Sequence, residues 1–256
     1  MAIPVYFGSA SNEDSATNDV FPVLPLGYVA DTVFVCLCTN DGGVAIPTPT
    51  GGSLTWTQVQ GSPQTAVSAA GTSVQLALFW ARAASAAETP PTVSRNGGNH
   101  IQARMIGING CRAGDPIHKT SADTLTADST AFTIPGLTTT LDECLLLFFV
   151  TRGTDVNVAT GGFVEGSQLN GGLDTGTTHP VNRLNYGTTL GNGSGLWFLT
   201  GAKNGAGIIG PTTGTILLAS AQARMLVALS SFAEPGGGGG GSAATGLRSL
   251  LNPGLN

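Results

Sequence analysis

Gln102-Ala103-Arg104-Met105 occurs a second time as Gln222-Ala223-Arg224-Met225, 222 − 102 = 120 residues later. The same offset carries Leu76 onto Leu196, Pro91 onto Pro211 and Thr92 onto Thr212. Further upstream an offset of 111 carries Phe21 onto Phe132, Leu26 onto Leu137 and Asp31 onto Asp142. Colinear matches joined by an insertion of 120 − 111 = 9 residues, placed most simply in the glycine-rich stretch 161–193, read as a unit of roughly a hundred residues built twice. Around the tetrapeptide the apolar period is two. Ala103 and Met105, like Ala223, Met225, Val227 and Leu229, are expected on one strand face, with Gln102, Arg104, Gln222 and Arg224 on the other.

The same period continues outward. In the run Val74 to Arg82, Val74, Leu76, Leu78 and Trp80 share one side and Ala77 and Phe79 the other. Val33 to Leu37 and Cys144 to Val150 do not alternate at all, and a strand apolar on both faces is covered on both faces. The sequence therefore predicts an all-β protein, a jelly-roll-like β-sandwich with internal pseudo-duplication. Residues 1–113 form a first repeat unit, 114–234 a second packed with it as one sandwich, and 235–256 a glycine-rich tether and docking tail. Smaller elements are expected at 3–8 (an edge strand, since Pro4 cannot donate to a ladder) and at Leu54 to Gln60 around Trp56. Thr92 to Arg95 with His100 to Asn109 reads as a hairpin, and Gly110 to Asp128 as a polar connection.

Composition narrows the function. Only 10 % of the residues are charged, 41 % are hydrophobic and 38 are Gly, which suits a β protein with a neutral polar surface. The net charge of −5 comes without a basic patch to neutralise phosphates, so nucleic acid is a poor partner. No signal peptide is visible in Met1 to Ser9, and Cys144 to Val150 is far too short to span a bilayer as a helix. Cys36 and Cys38, two apart on an apolar run, point to one face, and with Cys111 and Cys144 they read as buried thiols.

Few motifs carry chemistry. Gly205-Ala206-Gly207-Ile208-Ile209-Gly210 has dinucleotide-loop spacing, but Pro211 and a Thr-rich strand follow where a helix is required. Gly191-Asn192-Gly193-Ser194-Gly195 resembles a nucleophile elbow without the Gly two residues before the Ser, and reads as a loop. His100, His118 and His179 share no local pattern with a carboxylate or thiol. Trp80 and Trp197 sit within apolar strands and read as core. Trp56 and Tyr186, flanked by Thr, Asn and Gly, are the candidates for contact with a glycan. No enzyme, cofactor or metal site is expected.

Three stretches together resemble a known group. They are Phe132 to Thr140 before an apolar strand, Leu78-Phe79-Trp80-Ala81-Arg82-Ala83-Ala84 before a Glu-x-Pro turn, and Gly97 to Arg104. They look like tailed-bacteriophage structural proteins of the minor tail or tail-fibre-like group, over about residues 20 to 233. The resemblance implies a virion component made in the host cytoplasm, tail- or fibre-associated, serving assembly or host attachment; it carries no active-site residues. Capsid decoration, a head fibre and a carbohydrate-binding adhesin module are the alternatives. Partners would be other virion proteins, further copies of the chain joined through the C-terminal tail, and a host surface glycan. In that tail, Gly236 to Gly241 form a tether, and Leu247, Leu250, Leu251 and Leu255 form an apolar set for docking.

Overall fold

Two strands are buried at every position, Val33–Asn40 in the first half of the chain and Cys144–Arg152 in the second. The rest of the fold is built to cover both faces of each. The computed structural model describes residues 3–10, 13–41, 44–153, 163–165, 181–189 and 194–231. The tail residues Leu247, Leu250, Leu251 and Leu255 lie outside the described residues. Every regular element described is a strand.

The first sheet contains β1 (Val5–Ser9), β2 (Glu13–Ser15), β3 (Val33–Asn40), β4 (Thr57–Gln58), β5 (Gln64–Val67), β6 (Ser73–Arg82) and β7 (Ile101–Asn109). Its order is β1-β7-β3-β6-β4, with β2 also on β7 and β5 also on β6. The second contains β8 (Ile117–Ile134), β10 (Cys144–Arg152), β11 (Phe163–Glu165), β12 (Val181–Thr188), β13 (Ser194–Lys203) and β15 (Thr212–Ser230), while β9 (Leu137–Thr139) and β14 (Gly207–Ile209) form a separate ribbon. The second order is β11-β15-β10-β13-β12, with β8 also on β15. The three central strands correspond, β7-β3-β6 in the first sheet to β15-β10-β13 in the second. All named ladders are antiparallel.

The sheets lie face to face over one core. It takes Val33, Val35 and Leu37 from β3, Leu76 and Leu78 from β6, and Ile106 and Ile108 from β7. The opposing sheet supplies Leu145, Leu147 and Phe149, Leu196 and Phe198, and Met225, Val227 and Leu229. The outer face of the first sheet (Phe34, Cys36, Cys38, Ala77, Phe79, Met105) is closed by irregular chain carrying Val20, Leu24, Ile46, Leu54 and Trp56. The outer face of the second (Leu146, Phe148, Trp197, Leu226) is closed by Phe132, Ile134, Ile209 and Ile216. The result is a sandwich of two sheets with an apolar cover on each outer side. Glycine permits close cover at Gly214, where a Cβ would stand 2.3 Å from the Phe132 ring.

The ladders correct the alignment of the halves. Leu37 pairs with Leu78 and Arg104, and Phe149 with Phe198 and Met225. Matching these pairs relates β3 to β10 by 149 − 37 = 112, β6 to β13 by 198 − 78 = 120 and β7 to β15 by 225 − 104 = 121. The offset of 112 also joins the two positive-φ residues that precede the central strands, Asp31 (φ 67°) and Glu143 (φ 56°), since 143 − 31 = 112. The repeated tetrapeptide is thus one residue out of step with the structural repeat. Because strand faces alternate, that single residue inverts it. Ala103 and Met105 pack under the outer cover, whereas Ala223 and Met225 lie in the core between the sheets. The expectation that both pairs occupy equivalent faces is overturned, although the strands carrying them hold the same place in their sheets.

Other expectations also change. Each sheet is built from one half of the chain, and in the second half β9 and β14 leave the sheet to form the ribbon beside it. Thr92 and Val93 do not pair with β7 as a hairpin but bridge to Thr50 and Val20. Around Trp56 only Thr57–Gln58 is strand. The polar connection 110–128 is largely the 18-residue strand β8, whose Thr, Ser and Asp carry no alternation to announce it. β8 forms because β15 offers it a ladder from Thr212 to Leu229.

Leu78 and Leu147 are fully buried in the shared core. Changing either to Ala is expected to lower unfolding free energy by about 2–5 kcal/mol. Urea titration would check this, and a loss under about 0.5 kcal/mol at both would place them outside the load of the core.

Candidate functional site

The polar residues of greatest interest meet at one corner of the sandwich, between the sheets. β2 pairs with β7 so that Asp14 stands opposite Gln102, and His100 immediately precedes β7. From the other sheet, β12 brings Tyr186 and the first residue of β13 is Ser194. The Tyr186 hydroxyl donates to Asp14 Oδ2 at 3.1 Å, and Asp14 Oδ1 lies 3.3 Å from His100 Nε2. Gln102 Nε2 donates to the Ser194 carbonyl oxygen at 3.3 Å. His100 is fully buried and the Asp14 side chain is 8 % exposed. Imidazole and carboxylate form an ion pair when the ring is protonated; otherwise an uncharged ring lies against the carboxylate. Either way the carboxylate is held from both sheets at once.

A second tie stands on the opposite side of the sandwich. Thr72 Oγ1 donates to Asp128 Oδ1 at 2.6 Å and accepts the Ala221 amide at 3.1 Å. A third is aromatic: the Tyr6 ring meets Phe198 edge-on with centroids 5.9 Å apart, and the Arg183 guanidinium covers Tyr6 at 4.7 Å. Arg183 also donates from Nε to Thr200 Oγ1 at 2.9 Å. Beside this third tie a shallow groove of about 280 Å³ is lined by Val5, Tyr6, Leu145, Val181, Arg183 and Thr200.

The residues singled out from the sequence are not brought together. Trp56 is buried as part of the outer cover, in one cluster with Leu54, Phe79 and Ala81, and presents no exposed ring face to a sugar, which corrects its reading as a glycan platform. Its position follows from the outer apolar face of β6, which needs a large lid. Tyr186 is half-buried, with its hydroxyl engaged at the corner described above. Ser194 is fully buried, out of reach of any substrate arriving from solvent. Gly207–Ile209 is strand, and β15 follows it with no helix. An open cleft of about 530 Å³ touches Asp14 and is lined by Ser15, Asn18, Asp19 and Phe21. Its oxygens are engaged locally: Asp19 Oδ1 accepts the Arg95 amide, and Ser15 Oγ accepts those of Thr17 and Asn18. No group of three or more metal-binding side chains is found among the described residues.

All four cysteines are free and buried. Burial pushes the Cys111 thiol up to about 12 and the Cys144 thiol up to about 11, the latter helped by the Asp142 charge. Cys38 is raised well above its ordinary value by burial and by Cys36, whose sulfur is 3.5 Å away. Burial lowers the Arg152 guanidinium to about 10.

One further surface is apolar and exposed. Between the Val20–Val93 bridge and Asp31 the chain crosses the first sheet as irregular structure with a turn at Leu26–Gly27, Leu24 buried and Phe21, Val23, Leu26 and Val29 exposed. Phe21 is 60 % exposed and Leu26 95 %. These are four of the ten large apolar side chains left exposed among the described residues. The signal was available. Val20 to Leu26 is apolar at every position, and Pro22 and Pro25 forbid it a place inside a ladder.

Comparison with known proteins adds no relative: no family model, no curated protein and no solved structure matches the chain.

Two outcomes follow from this geometry. Asp14→Ala and Tyr186→Phe should each destabilise by about 1–3 kcal/mol, with a coupling of at least about 0.5 kcal/mol in a double-mutant cycle. Because all four thiols are buried, an aromatic disulfide reagent should label none of them in native protein and all four in denaturant.

Proposed function

We propose that this chain is a bacteriophage virion structural protein, tail- or fibre-associated, that acts as a rigid non-catalytic body. The observation that carries the reading is the placement of the Asp14–His100–Tyr186 contact. Groups that could do acid–base chemistry, fully buried His100, nearly buried Asp14 and half-buried Tyr186, are engaged with one another and join the sheets. A carboxylate held from both sheets favours one fixed arrangement of the halves, a property suited to a part of an assembly. The low charge of the chain and the resemblance of residues 20–233 to minor tail and fibre-like proteins support the same reading. With Trp56 buried, the glycan-binding alternative loses one of its two aromatic candidates.

The test is to tag the protein within a producing phage and locate it on purified particles by gold labelling, with quantitative mass spectrometry of the same particles. A fixed copy number at one location, the tail or a fibre, is the expected result. Absence from washed particles would overturn the proposal, and label distributed over the head would favour capsid decoration instead.

A further inference from the structure

The exposed strip Phe21–Val29 and the leucine-bearing tail are linked by the path of the chain. β15 ends at Ser230, and Ser231 bridges to Cys111 at the end of the sandwich where β7 also finishes. The next residue after Cys111 is Arg112, whose carbonyl accepts from Arg82 Nη2, while Arg82 Nη1 donates to the Asp31 carbonyl at 3.1 Å. Asp31 is two residues from Val29. One bridge and one guanidinium therefore separate the point where the described chain ends from the Val29 end of the strip. Thr32 fixes that end of the strip, donating from Oγ1 to Asn109 Oδ1 at 2.7 Å and accepting the Val29 amide.

Beyond Ser231 the sequence supplies 247 − 232 = 15 residues before Leu247, six of them the glycines 236–241. A glycine-rich coil of this length spans roughly 20 Å. The segment Ser242 to Asn256 carries four leucines and a single charge, Arg248. The strip carries no charge from Val20 to Ala30 and is flanked by acids, Asp19 at one end and Asp31 at the other. Apolar surface meets apolar surface, and a lone cation meets an acidic border.

We infer that the strip formed by Phe21, Val23, Leu26 and Val29 is the docking surface for Leu247, Leu250, Leu251 and Leu255 of the same chain. The tether decides between this chain and a neighbour. A flexible linker holds its ligand at an effective concentration on the order of millimolar, above the concentration of a second copy in dilute solution. The contact covers the apolar strip in the free chain, and it stands or fails independently of the virion reading.

The experiment is hydrogen exchange over residues 20–30 in the full-length chain at two protein concentrations, low micromolar and a hundredfold higher. It compares the unaltered chain with Leu250→Asp/Leu251→Asp and with Leu26→Asp. Leu26 is almost wholly exposed, so its substitution leaves the core intact. In the unaltered chain these amides should exchange slowly, at a rate independent of concentration. Either variant should accelerate them on the order of tenfold, and each should raise the fluorescence of an apolar dye. Three results would overturn the proposal: equal exchange in all three proteins, protection that appears only at the higher concentration, which would make the occupant a second copy's tail, and loss of protection throughout β3 and β10, which would make the effect one of unfolding.

Discussion

Burial of both faces of β3 and β10 is the constraint from which the remaining structure follows. A strand such as Phe34 to Cys38 or Leu145 to Val150 presents apolar side chains above and below its sheet, and each face must be removed from water. Packing the two sheets against one another covers the inner faces. The outer faces then require lids. In the first half the lid is irregular chain with Val20, Leu24, Ile46, Leu54 and Trp56. In the second it is the end of β8, the β9–β14 ribbon and the start of β15. The two halves repeat the strand order and solve the outer faces differently.

The way the sheets meet explains the polar seam. β6 packs on β15 and β10, and β3 on β13, while Gln102 of β7 reaches Ser194 of β13. In terms of the repeat, the β6–β15 contact and the β7–β13 contact are the same contact with the halves exchanged. Strands flanking the central one in each sheet therefore cross over to the other's counterpart, and the sheet edges come together at two opposite corners. Edges carry polar side chains, so the corners are where Asp14, His100 and Tyr186 meet on one side and Thr72 and Asp128 on the other. A buried carboxylate is costly without partners, which makes the Asp14 contacts a condition of that corner closing. The strip Phe21–Val29 is what remains: the lid of the first sheet uses its inner side chains and leaves its outer ones bare.

Much of this was legible in the residues, and the limits are specific. Uninterrupted apolar runs identified the doubly covered strands, and alternation from Val74 to Trp80 assigned inner and outer faces correctly. Both are properties of side chains a few positions apart. β8 was not legible, because a long polar edge strand has no internal period and exists through its ladder to β15. Trp56 was misjudged because its neighbours in sequence are polar, while its neighbours in space are Phe79 and Ala81. The tetrapeptide repeat pointed to the right strands at the wrong register, since identity of letters does not constrain which face a residue takes and one residue is enough to reverse it. By itself, then, the sequence determined the all-β class and which strands must be covered twice, because apolar periodicity is local. The tertiary structure alone decided the register between the halves, the meeting of Asp14, His100 and Tyr186, and the exposure of Phe21 to Val29, because each depends on which sheet face arrives opposite another.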